Sequence, residues 1–192
     1  MAWIPNALVE VEKMSFYIQA CSPTCTHKYN SKDSSLAEAI ETIFPLYTEN
    51  VILYWNHVPI ALSYKYDISY MASDLIMLLE NVTEHEKGES KIAWLPDTFR
   101  SDWNIWWKNG NIHIAARWEN LIGDVHLLLK KDKQIDMEII EFMSEWKLPL
   151  QNIINALQKS GYMDGKIQEI KRLTSLVCKI PNYGVLYSDR EG

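Results

Sequence analysis

Glycine and proline are scarce, at seven each in 192 residues, which excludes a collagen-like repeat and a low-complexity linker. Cysteine is scarcer, at three. An odd number, in a chain whose first twelve residues lack the basic start and apolar core of a secretory signal, predicts reduced thiols in the cytosol rather than a disulfide framework. No stretch approaches the roughly 18 uninterrupted apolar residues of a membrane span, so no membrane contact is expected. Catalytic signatures are missing too. There is no G-x-S-x-G, no phosphate-binding P-loop, no dinucleotide-binding glycine run and no H-E-x-x-H, His85-Glu86 stopping short of the last. Nothing calls for a cofactor.

What is present is globular composition, 47% apolar and 23% charged, with an unusual richness in Trp (8) and Tyr (10). A chain of this length buries about two thirds of its unfolded surface and needs no metal to fold. The net charge of −6 is unevenly placed. Residues 1–100 hold 13 acidic and 7 basic side chains, whereas residues 101–192 hold 12 of each. Such a field repels phosphate backbones, so nucleic acid is not the expected partner, and it accelerates encounter with a basic protein.

The texture changes near residue 130, from strands with helices between them to helices alone. A compact aromatic run predicts a strand at 13–21, and 21–35 reads as a polar loop. Asp33 or Ser34 is a cap for a helix over 36–44, ended by Pro45. Residues 51–55 and 58–65 predict a hairpin around Asn56, His57 and Pro59. Asp67 is an N-cap candidate for a helix through Val82, where Ile68, Met71, Ala72, Leu75, Ile76, Leu79 and Val82 recur at helical spacing. The charged run 84–91 predicts an exposed loop before a short strand at 91–95.

Asn109-Gly110 is the strongest local signal, because that pair accepts positive φ at both centres of a type I′ turn. It sets the register of strands 103–108 and 111–118. Lys108 then faces Asn111, Trp107 faces Ile112, Trp106 faces His113, Ile105 faces Ile114, Asn104 faces Ala115 and Trp103 faces Ala116. Alternation puts Trp103, Ile105, Trp107, Ile112, Ile114, Ala116 and Trp118 on a core face. Asn104, Trp106, Lys108, Asn111, His113, Ala115 and Arg117 take the other, with Trp106 its one large apolar member. Beyond it, 123–129 predicts a strand and 136–146 a helix interrupted by Pro149. A continuation follows over 150–159, then a last helix from about 164 to 179. The expected fold is α+β: one antiparallel sheet of five to seven strands, helices mainly on one face, and a helical C-terminal layer in a single domain spanning 1–192. A separate helical subdomain over 131–192 is the alternative.

Candidate chemistry is sparse. Cys21, Cys25 and His27 lie in one loop as C-x3-C-x-H, thiolate and imidazole being zinc ligands, but a fourth ligand such as Cys178 or His57 would have to come from elsewhere. Unremarkable thiols are the plainer reading, with no metal. Acid-base catalysis would draw on Asp97, Asp102 and His113 beside the hairpin, although no spacing binds them together. Exposed aromatics among charges are instead the usual ingredients of a protein-binding surface, and the outer hairpin face offers Trp106 and His113. Its counter-reading is that another strand or helix covers that face.

Three stretches, YWNHVPIALSYKYDISYMASDLIMLLENV, IAWLPDTFRSDWNIWWKNGNIHIAARWENLIGDVHLLL and EFMSEWKLPLQNIINALQKSGY, lie within residues 50–162. Their Trp-rich sheet followed by helices, with W-x2-WW at Trp103, Trp106 and Trp107 and ARW ending at Arg117 and Trp118, resembles the small cytoplasmic immunity proteins of bacterial polymorphic-toxin and contact-dependent growth-inhibition systems. The resemblance implies a protein without catalysis of its own, a monomer or weak dimer. It would bind a cognate toxin C-terminal domain, a nuclease in many such systems, and block its active site or substrate access. No binding residue carries over by position. The acid-rich segments, with their neighbours on the hairpin, supply the expected contact set: Asp67, Asp74, Glu84, Glu86, Glu89, Asp97, Asp102, Trp106 and His113. A general protein adaptor and a small enzyme using Asp97, Asp102 and His113 stand as alternatives.

Overall fold

The computed structural model describes residues 15–131, 133–163 and 165–181. The chain is α+β, but its strands form two antiparallel sheets where one is expected from the sequence. The first has three strands in order β1 (Phe16–Ala20), β2 (Val51–Trp55) and β3 (Val58–Leu62). The second has four in order β4 (Lys87–Trp94), β5 (Phe99–Lys108), β6 (Asn111–Leu121) and β7 (Gln134–Glu138). Helices α1 (Leu36–Ile43) and α2 (Ser69–Glu84) fall between the strands, while α3 (Ile139–Lys159) and α4 (Gln168–Lys179) end the described chain.

Indoles join the two sheets. Trp55 of β2 lies 5.3 Å from Trp103 and 5.0 Å from Trp118, the second contact edge-to-face, and Trp94 stands edge-on to Trp103 at 5.4 Å. Such pairs add about 0.5–1.5 kcal/mol each beyond area burial. Residues of α3 and α4 belong to the same buried cluster.

The 109–110 hairpin has the expected register at all six pairs. Asn109 and Gly110 both take positive φ, 52° and 79°. Asn56 and His57 make the second tight turn in the same conformation, φ 45° and 68°. Pro59 therefore lies inside β3, an edge strand, where a missing N–H is tolerated.

Several elements differ from the sequence expectation, each for a local reason. β4 begins at Lys87, within the stretch read as an exposed loop, since its charges alternate with small inward residues. Gly88 faces Trp107 across the ladder, and a Cβ there would stand 2.3 Å from the indole. Residues 122–130 form a 3-10 segment rather than a strand, because Gly123 and Asp124 are both left-handed, φ 72° and 56°. Residues 134–138 are strand, with only Ile135 fully buried, so the helix starts at Ile139 and not 136. That helix runs unbroken through Pro149. The missing hydrogen bond and the ring's crowding of the preceding turn together cost about 3 kcal/mol, but Phe142, Trp146, Leu150, Ile153 and Leu157 stay in phase and buried on both sides of it. The last helix begins at Gln168.

Caps differ as well. Ser35, not Asp33 or Ser34, caps α1, in a reciprocal box with Glu38. Before α2 comes a π-helical turn, Tyr64–Ile68, capped by the Ser63 hydroxyl. Asp67 caps nothing at its own position: its carboxylate accepts the Ser63 N–H at 2.7 Å and the Thr98 hydroxyl.

Candidate interaction face

The alternation of four strands builds one open surface opposite the Trp core. Register aligns Glu89, Trp106, His113 and Asp136 in a row across β4 to β7, and Lys91, Asn104, Ala115 and Gln134 in the next. Ala93, Asp102 and Arg117 form a third, and Lys87, Lys108, Asn111 and Glu138 the row nearest the turn. Trp106 is 44% exposed at the centre, and no strand or helix among the described residues covers it. Its ring stacks on His113 at 3.8 Å and 33°. The His113 Nδ1–H donates to Asp136, a partner the sequence reading missed because it placed Asp136 in a helix. Only a β assignment for 134–138 could have found it.

Asp102 is bound by Arg117, whose guanidinium also meets Glu119 at 2.8 Å. These carboxylates, Asp102 first, hold the guanidinium above its ordinary range. Asp97 pairs instead with Arg100 at 2.6 Å. The three residues of the enzyme alternative therefore keep three separate partners. Asp102 and His113 share a face, but four positions of strand, about 13 Å, lie between their rows. A cleft of about 270 Å³ runs beside Trp106, lined by Glu89, Ser90, Lys91, Asn104, Ile105 and Trp106, with His113 outside it.

The expected acidic character holds for only part of the contact set. On the open face Lys87, Lys91, Arg100, Lys108 and Arg117 match Glu89, Asp102, Glu119, Asp136 and Glu138 in number. Glu84, Glu86 and Glu89 are exposed where α2 meets β4, whereas Asp74 is half-buried on α2. Asp67 leaves the set altogether. It is 2% exposed, and burial raises its carboxyl above the ordinary value against the pull of its bonds to Thr98 and Ser63.

Cys25 and His27 adjoin one another in the 21–35 loop, while Cys21 and Cys178 are exposed. Among the described residues no three His, Cys, Asp or Glu side chains converge as a metal site. None of their helices is long and apolar enough to cross a membrane. No family model, curated protein or solved structure matches the chain.

Proposed function

We propose that the protein is an immunity protein: it binds a cognate bacterial toxin domain through the open face of the four-stranded sheet and blocks that domain's active site or substrate access. One observation carries the reading. A large aromatic side chain stands 44% exposed at the centre of the sheet's outer face, braced by His113 and ringed by charges of both signs. That is the anatomy of a binding hot spot with a polar rim. The charge balance supports rim pairing specific to one partner rather than a general acidic lure, and Glu84, Glu86 and Glu89 supply the long-range attraction for a basic toxin. The separation of the 270 Å³ cleft from His113, and of Asp97 and Asp102 from both, favours this over the enzyme reading.

The test starts with a tagged copy in its native host, recovered with its partner and read by mass spectrometry. A toxin C-terminal domain should come down at near-equal stoichiometry, and co-expression should rescue growth of cells making that toxin. Trp106→Ala should weaken the complex by about 2 kcal/mol or more. Charge reversal of Glu84, Glu86 and Glu89 should slow association. If rescue survives both changes undiminished, the surface is misassigned. If no toxin is recovered with abundant folded protein, the immunity reading fails.

A further inference from the structure

A second cleft, of about 300 Å³, lies between the loop that follows β1 and one side of α3. Cys25, His27 and Thr24 line one wall, and Asn152, Asn155 and Lys159 the other. None of its lining residues is a carboxylate, although the protein carries 25 acidic side chains. Its charged and titratable members are Lys159, His27 and the Cys25 thiol.

The loop holds that thiol in place from both sides. The Thr24 N–H donates to Glu49 at 2.8 Å, and the Thr24 carbonyl accepts the Thr48 hydroxyl at 3.0 Å. Beyond Cys25, the Thr26 N–H donates to the Ile43 carbonyl at 2.7 Å and its hydroxyl to Thr42 at 3.0 Å. Asn152 adds a bond to the Cys21 carbonyl at 2.7 Å. His27 turns back in the left-handed region, φ 55°, and brings its ring to the sulfur. Cys25 Sγ is 3.4 Å from Nδ1 and 3.8 Å from Nε2, so it rests against the ring rather than along one lone pair. The ring is exposed, and a rotation about its soft terminal torsion aligns a nitrogen with the S–H.

We propose that this cleft is a thiol-exchange site, in which Cys25 forms a mixed disulfide with a small disulfide carrying carboxylate groups. The thiol proton passes to His27, and Sγ attacks one sulfur of the incoming disulfide. The new S–S bond forms as the old one breaks, and the departing thiolate takes the proton from His27. Cys25 is thereby oxidised and the departing half reduced, with no other oxidant. Lys159 and the Asn155 amide receive the carboxylate. The site is independent of the Trp106 face.

Cys21 and Cys178 are internal controls, since both are exposed and lie outside the cleft. The full chain is reacted at pH 7 with oxidised glutathione (anionic), 2-hydroxyethyl disulfide (neutral) or cystamine (cationic), and adducts are located by peptide mass mapping. With oxidised glutathione, Cys25 should react at least tenfold faster than either control despite its lower exposure. Its rate should fall from the anionic to the neutral to the cationic reagent, while the controls show no such order. Lys159→Gln should abolish the anion preference and spare the rate with the neutral reagent. His27→Asn, chosen because Asn tolerates positive φ, should bring Cys25 down to the rate of Cys21. Circular dichroism of both variants verifies the fold. A Cys25 rate no greater than that of Cys21, or one indifferent to reagent charge, overturns the proposal.

Discussion

The three-stranded sheet turns Tyr17, Gln19, Ile52, Tyr54, Pro59 and Ala61 away from the core, without a single charge among them. The four-stranded sheet turns outward five basic and five acidic side chains around Trp106. On the inside the two are alike, meeting through Trp55, Trp103 and Trp118. Aromatic residues do separate work in the two outer faces. Tyr17 and Tyr54 stack on one another at 4.1 Å and nearly parallel, a cross-strand pair that satisfies itself. Trp106 rests on a histidine instead and keeps 44% of its surface open. An aromatic ring is a recognition candidate when its neighbours leave it a free face, and composition alone does not distinguish these cases.

The sharpest test of inside against outside sets Trp55→Ala beside Trp106→Ala. Trp55 is fully buried between the sheets, and its removal should cost about 3–5 kcal/mol in chemical denaturation. Trp106→Ala should cost under about 1 kcal/mol, its loss showing in partner binding. Equal destabilisation by the two would mean that Trp106 is structural. Gly88→Ala comes next, because the added Cβ meets the ring of Trp107 2.3 Å away. A loss of about 1–3 kcal/mol is expected, and a stabilised variant would show that the indole moves freely.

The hairpin of the four-stranded sheet was fully legible, whereas the ends of that sheet were not. A two-residue turn leaves one register, and one register sorts every side chain to a face, so Trp106 opposite His113 followed from Asn109-Gly110 alone. β7 shows five residues of alternation before a strongly helical run, too few to compete with a period of 3.6 that begins in phase. Losing β7 meant losing Asp136, and with it half of the His113 pair. At the other edge Gly88 reads as a turn residue until Trp107 is known to lie over it. Asp67 failed in another way: a carboxylate before an apolar helix is a good cap by local rules, and only the fold brings Thr98 to it.

Asp67 also ties the sheets together in a polar way, since Ser63 follows β3 and Thr98 precedes β5. Its carboxyl titrates higher in the folded chain than its ordinary value of 3.8. In that window the folded state binds more protons than the unfolded one, so this group's contribution to stability is full below the ordinary value and is lost as pH rises through the raised one. Denaturation midpoints of wild type and Asp67→Asn from pH 3 to 7 test this. The difference between the two should shift toward the variant as pH rises, and a constant difference would remove Asp67 as the source. Glu145, also raised by burial, is present in both proteins and cancels.

The smallest stability effect belongs to the Asp102 and Arg117 pair, which lies in water on the charged face. Exposed pairs of this kind are screened and contribute little to folding. Exchanging the two residues, Asp102→Arg with Arg117→Asp, together with Glu119→Gln to remove the carboxylate that Arg117 also meets, keeps the attraction between β5 and β6 but inverts its direction on the surface. The melting temperature should hardly move, at low salt or high. A partner that reads the charged rim should nonetheless bind the exchanged protein more slowly, and the difference should shrink as salt is added. If the exchange changes stability and leaves association untouched, these charges serve the sheet and not its partner, and the contrast between the two outer faces becomes one of solubility alone.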